Sequence, residues 1–159
     1  MASQNYWLMK TEPDVFSFQD LLIAPNRTTN WEGVRNYQAR NFLRDQFKLG
    51  DLGFIYHSNI EEPAIVGIAE VVKEAYSDGT AVDPKNKYFD EKALKKNVWV
   101  MVDIQAKFLF ENPVTRERIR SEKKLQDMWV LRPGSRLSIQ PVSEKEYKIL
   151  CKLEKLKSV

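Results

Sequence analysis

The sequence predicts an α+β fold, a small and strongly bent mixed sheet or open β-barrel with short helices packed around it. Two observations carry that expectation. About five or six strand-like segments are interspersed with short helical ones, too irregularly for a βαβ series. The chain has 159 residues, with no internal repeat, low-complexity segment or long charge block, so one domain over 1–159 with one sizeable core is expected.

The elements follow in order. "NYWLMKT" (5–11) reads as a strand that leaves through Glu12, Pro13 and Asp14. Ser17 and Asp20 form a capping box for the short helix "FQDLLI", and Pro25 to Asn30 reads as loop. Asn36 can cap a helix whose apolar residues Ala39, Phe42, Leu43 and Phe47 share one arc. Tyr37, Arg40, Arg44 and Lys48 fall on another arc, and Gly50-Asp51 ends the segment.

"LGFIYHS" alternates as a strand, and "AIVGIAEVV" (64–72) is a buried-type strand in which Gly67 marks a bulge or a close backbone approach. Residues 77–97 are polar and turn-rich, as in a surface excursion. "VWVMVDIQAKFLF" is the strongest strand signal, and "TRERIRSEKKLQ" reads as a charged helix or turn. "MWVLRP" and "SRLSIQPV" read as two further strands. Ser143 and Glu146 box the last helix, with Tyr147, Leu150 and Cys151 inward.

Composition narrows the function classes. A net charge of +3 permits an anionic partner without demanding one. The single Cys151 rules out an internal disulfide framework, and with the single His57 it cannot make a His/Cys-rich zinc site; no metal and no cofactor are expected. No signal-peptide pattern opens the chain, and no apolar run approaches the roughly 20 residues of a membrane span. A cytoplasmic location without a membrane partner is therefore expected. The chain starts almost at the domain, with no long basic extension that would support nuclear targeting.

No catalytic constellation emerges. His57 is the only imidazole, no G-x-S-x-G elbow occurs, and the glycines form neither a P-loop nor a dinucleotide fingerprint. Cys151 lies on an apolar helix arc, which reads as an inert thiol, and Glu61-Glu62 reads as a solvated loop pair.

A binding reading does better. Holding a planar base takes aromatic faces, a few amide or hydroxyl groups and flanking cations. Trp31, Tyr37 and Trp129 supply faces; Asn36, Ser58 and His57 supply edge groups; Lys10, Arg35, Arg40, Arg132 and Arg136 supply charge. Each also has a plain structural alternative. Trp31 is as readily a core residue, Trp99 reads as core, Arg40, Arg44 and Lys48 as a solvated helix face, and His57 as a satisfied structural residue.

Five ordered blocks then form a pattern: "YWLMKTEP" at 6–13, "WEGVRNYQARNFLRD" at 31–45, "GDLGFIYHSN" at 50–59, "GIAEVV" at 67–72 and "RLSIQPV" at 136–142. Together they resemble the EVE domain family over nearly the whole chain. The resemblance implies a PUA-like fold, related to YTH domains, and a non-catalytic domain that reads modified cytosine in DNA or a modified base in RNA. It implies a base pocket of Lys10, Thr11, Trp31, Val34, Asn36, Tyr37, His57, Ser58, Trp129, Leu131 and Pro133. Arg35, Arg40, Arg44, Arg132 and Arg136 would then meet phosphates.

The sequence departs from the family in two places. "SDGTAVDP" (77–84) lacks the Pro-Asp start of that loop, and Tyr147 stands where a Trp is common. Two other functions stay open at this point: a sensor of a free modified nucleobase or nucleoside, and a nucleobase-acting enzyme with His57 or Asp103 as acid/base.

Overall fold

A computed structural model describes residues 4–159. Its strands are β1 (Tyr6–Thr11), β2 (Thr28–Asn30), β3 (Leu52–His57), β4 (Ala64–Ser77), β5 (Val100–Thr115), β6 (Ile139–Val142) and β7 (Leu156–Ser158). The helices are α1 (Phe18–Ile23), α2 (Tyr37–Asp45), α3 (Arg116–Ser121) and α4 (Glu144–Leu153). Seven strands make one mixed sheet in the order β2-β5-β4-β3-β1-β6, with β7 also on β5. The β1–β3 pair is parallel and the other pairs are antiparallel. β2 and β6 end the order and, among the described residues, do not pair with each other, so the sheet is bent but not closed.

The bend has a local cause. The β4–β5 pairing shifts register at Ile65/Gly67, Ile68/Ala69, Val71/Lys73 and Lys73/Tyr76. Each such irregularity adds twist and bends the strand. Gly67 is both a register break and a close approach, because a Cβ there would overlap the Phe18 ring of α1.

Both faces of the sheet are covered. Trp7 and Met9 of β1 pack with Phe18 and Leu21 of α1 and with Ala39 and Leu43 of α2. Leu8 points the other way, into a cluster with Phe54, Ile65, Ile119 of α3 and Leu150 of α4. The alternation read in "LGFIYHS" therefore separates two cores rather than core from water; Phe54 and Ile55 are both buried. Buried Asp51 fixes the turn after α2, accepting hydrogen bonds from the Trp7 indole (3.0 Å) and from the Asn5 (3.0 Å) and Lys48 (2.9 Å) amides.

Three parts of the sequence reading change. Thr28–Asn30, expected as loop, is an edge strand on β5, and β7 was not anticipated. "MWVLRP" is not a strand: Trp129–Leu131 is a 3₁₀ turn, with the Leu131 amide on the Met128 carbonyl at 3.1 Å. A short apolar run does not by itself distinguish a strand from a buried turn. Residues 77–97 fold back as a flap held by two 3₁₀ turns, Gly79–Val82 and Glu91–Leu94, capped by Asp78 and Asp90. Ala81, Ala93 and Trp99 form its small core.

The Asn36 cap and both capping boxes are present as read, the Asn36 side chain accepting from the Ala39 amide at 3.0 Å. Tyr147, the departure from the family pattern, stacks on Tyr6 at 4.2 Å and packs against Phe54.

Candidate functional site

A cavity of about 580 Å³ opens between the end of β1, the turn that follows it, β2, the 31–36 loop and the flap. That volume falls in the range of small-molecule pockets, roughly 300–1,000 Å³. Lys10, Thr11, Trp31, Val34, Arg35 and Asn36, all singled out in the sequence, line it. Phe16, Glu32, Lys87 and Tyr88 line it too, and the sequence reading had not selected them.

Each wall has a local cause. Trp31 is only 7% exposed; its amide donates to the Val102 carbonyl at 2.7 Å, and its ring meets Phe16 edge-on at 6.4 Å. The Thr11 hydroxyl donates to the Phe16 carbonyl at 2.7 Å, which holds the turn after β1 against the rim. Gly33 has φ +86°, and a Cβ there would lie 2.6 Å from the Tyr88 ring. Only glycine lets the flap aromatic close over this loop.

Arg35 fastens loop and flap together. Its Nε donates to the Tyr88 carbonyl (2.9 Å), Nη1 to the Val34 carbonyl and Asp78 (both 3.0 Å), and Nη2 to the Thr80 hydroxyl (3.0 Å). The same Asp78 oxygen accepts the Gly33 amide at 2.9 Å. Burial by itself would push the Asp78 carboxyl upward. Hydrogen bonds from Thr80, Gly33 and Arg35 outweigh it and hold the group below the usual carboxylate range. Glu32 moves the other way, raised by partial burial and then by the nearby Asp78 charge.

A second cavity, about 300 Å³, lies beside the first. Ser58, Leu131, Arg132 and Pro133 line this one, and Lys10 lines both.

The remaining sequence candidates border neither cavity. Tyr37 packs against Trp99 at 4.9 Å, while Arg40 donates to the Val98 carbonyl at 3.0 Å and lies over the Tyr37 ring. Arg44 pairs with neighbouring Asp45 at 2.8 Å. His57 Nε2 accepts the Phe18 amide at 3.1 Å, and burial lowers its pKa. Trp129 sits edge-on to Phe42 at 5.9 Å with the Arg132 guanidinium over its ring. Arg136 is exposed in the loop before β6.

The two acid/base candidates are occupied. His57 serves as a backbone acceptor, and Asp103 accepts the Tyr76 hydroxyl. Cys151 is half-buried, and burial raises its thiol above the ordinary value. No cluster of three or more His, Cys, Asp or Glu positioned to hold a metal occurs among the described residues, and no described helix is long and apolar enough to cross a membrane.

Comparison with known proteins places these features in a family. The EVE domain matches residues 5–153. Thymocyte nuclear protein 1 from Gallus gallus is 42% identical, over 96% of this chain and 69% of that protein. The Homo sapiens protein of the same name is 40% identical, over 94% and 74% respectively.

Among solved structures, human THYN1 protein in complex with 5-methylcytosine-containing DNA superposes with a TM-score of 0.89. It is 39% identical and covers 96% of this chain and 98% of that one. A Pseudomonas syringae protein superposes at 0.88 with 44% identity, covering 93% and 98%. The cytoplasmic location expected from the sequence is corrected here, because the vertebrate relatives, thymocyte nuclear protein 1, are named as nuclear proteins. With the family matched over nearly all of its length, a shared fold and about 40% identity to relatives over most of this chain, the chain belongs to the EVE domain family.

Proposed function

We propose that residues 1–159 act as one EVE domain that binds DNA and reads a methylated cytosine by taking the base into the Trp31 cavity, without chemistry of its own. The observation that supports this most is the match between that cavity and what a flipped cytosine needs. Trp31, Phe16 and Tyr88 supply aromatic surface for stacking and for the methyl group, and such a stack is worth about 1–3 kcal/mol per base. Glu32 can accept from the exocyclic amine of cytosine, the pairing a carboxylate makes with that base. The Asn36 side-chain oxygen accepts the Ala39 amide, which leaves the side-chain NH₂ group to donate to the base.

The fold neighbour crystallised with 5-methylcytosine-containing DNA supports the same ligand class. In this reading Arg35 shapes the pocket through the flap rather than meeting phosphate, because four of its five N–H donors are engaged within the protein. Arg132, on the second cavity, and exposed Arg136 have side chains available for the backbone.

Anisotropy titrations of matched oligonucleotides, DNA and RNA, with plain or 5-methylated cytosine, test the proposal. Tighter binding of the methylated DNA, weakening steeply with salt, is expected. Equal binding of all four would overturn it. Salt-independent binding of the free nucleoside at the same strength would favour a small-molecule sensor instead.

A further inference from the structure

The second cavity differs from the rest of the charged surface. Several cations elsewhere meet a carboxylate, as Lys107 does Glu70 at 3.2 Å, Lys148 Glu144 at 3.6 Å and Lys155 Glu111 at 3.6 Å; what sets this cavity apart is that it gathers four cations in one lining. Lys10, Arg116, Arg120 and Arg132 line the second cavity, and its lining contains no Asp or Glu. Of these four cations only Arg120 forms an ion pair among the described residues, with Glu117 at 3.5 Å.

Lys10 shows the consequence. Its ammonium is half-buried and donates to the Ser135 carbonyl at 3.3 Å. Burial lowers its pKa, and the positive charge of Arg116 lowers it further. The buried Tyr56 reports on the same spot. Burial raises its phenol, while Arg116 and Arg120, which line the same cavity, pull it back. The Tyr56 hydroxyl has no hydrogen bond to protein among the described residues and lines the cavity with Ser58. Arg116 also borders a separate, smaller cavity with Glu61, Glu62 and Glu117, but none of these lines the second cavity. Cations gathered there repel one another, and a bound anion relieves that repulsion while accepting their hydrogen bonds.

Position identifies the anion. Lys10 lines both cavities, so they meet at one side chain. A base entering the first brings its sugar-phosphate link past that junction.

We propose that the second cavity is a phosphate site, in which Arg116, Arg120 and Lys10, with the Tyr56 and Ser58 hydroxyls, hold the backbone phosphodiester next to the inserted base. Its placement beside a base rests on the function proposed above; the anion site itself stands on its own residues.

The test uses the full chain with arginine Nε resonances followed by NMR, titrated with inorganic phosphate, alongside R116Q/R120Q. Both arginines are exposed, so neutral amides there leave the core untouched. Saturable phosphate shifts at Arg116 and Arg120 are expected. With methylated oligonucleotide, the double variant should reduce the slope of log affinity against log salt by about 1 while keeping the preference for methylcytosine.

No saturable phosphate shift overturns the site. A phosphate shift with an unchanged oligonucleotide salt slope also overturns the backbone assignment, because the cavity then serves free phosphate. If the arginines respond as expected but Trp31→Ala keeps the preference for methylcytosine, the base-reading function fails and the phosphate site stands.

Discussion

The Arg35 guanidinium meets the fully buried Asp78 carboxylate at 3.0 Å, and that contact joins the loop carrying Trp31 to the flap carrying Tyr88. Asp78 also accepts the Gly33 amide at 2.9 Å and the Thr80 amide at 2.9 Å. One carboxylate thus organises two walls of the cavity. Removing one partner of such a pair strands the other, a loss of about 3–5 kcal/mol for fully buried pairs. Arg35 keeps some solvent contact, so Asp78→Ala should cost about 2–3 kcal/mol, read by urea unfolding at neutral pH.

The same carboxylate sets an acid limit. Its folded pKa lies below the unfolded value of about 3.9, so its contribution is fully present above that pH and fades as pH falls through the folded value. The gap in stability between wild type and Asp78→Asn should therefore be largest at neutral pH and close progressively below about pH 4. Unfolding curves taken at a series of pH values check the closure.

His57 works at higher pH. The Phe18 amide donates to Nε2, and burial favours the neutral ring, so the folded pKa lies below the unfolded value of about 6.5. The unfolded chain then binds the proton more readily, and stability is present above about pH 6.5 and declines as pH falls through the folded value. His57→Gln should flatten that part of the stability profile. Binding at neutral pH should stay within about twofold of wild type, since the ring borders neither cavity.

Gly33→Ala tests the loop geometry. A methyl group at φ +86°, placed 2.6 Å from Tyr88, forces the ring away and adds backbone strain of about 1–2 kcal/mol. A lowered melting midpoint and weaker oligonucleotide binding are expected together. Weakened stability with unchanged binding would remove Tyr88 from the pocket wall.

Glu32 lies in an acidic pair. Its carboxyl is raised by burial and by Asp78, so at neutral pH the charged form is disfavoured in the folded state relative to the unfolded one. Glu32→Gln should stabilise the fold near pH 7 by less than about 1 kcal/mol, since the side chain is largely exposed and screened. That gain should shrink as pH falls and the native carboxyl protonates. The same change should weaken cytosine binding, because the amide replaces half of the acceptor.

Much of the frame was legible because its signals are local. Ser17, Asn36 and Ser143 are capping residues whose bonds close within one turn, so sequence spacing is enough to find them. Trp31, Gly33 and Asn36 sit in one short block, which is why the sequence points to the loop side of the cavity.

The opposite wall was hidden. Tyr88 lies in a polar stretch that resembles solvent-exposed loop, and only the long-range bonds of Arg35 to Asp78, Thr80 and the Tyr88 carbonyl bring it over Gly33. The Asp78-x-Thr80 turn was the one available signal, a side-chain cap at the start of the flap. Tyr37 and Arg40, in the block at 31–45, and Trp129, in the segment before the last block, had the right residue type, but they pack against Trp99, Val98 and Phe42 and border neither cavity. Residue type marked the candidates; only tertiary contacts decide which way each side chain turns.

Entry of the methylated base into the cavity walled by Trp31 is tested by a cycle of four affinities, plain and 5-methylcytosine DNA against wild type and Trp31→Ala, with Trp31→Phe as a variant that keeps the core filled. A methyl preference in wild type, retained in part by Phe and abolished by Ala, is expected, with a loss of about 1–3 kcal/mol for the methylated ligand. An undiminished preference in a folded Trp31→Ala protein would contradict it.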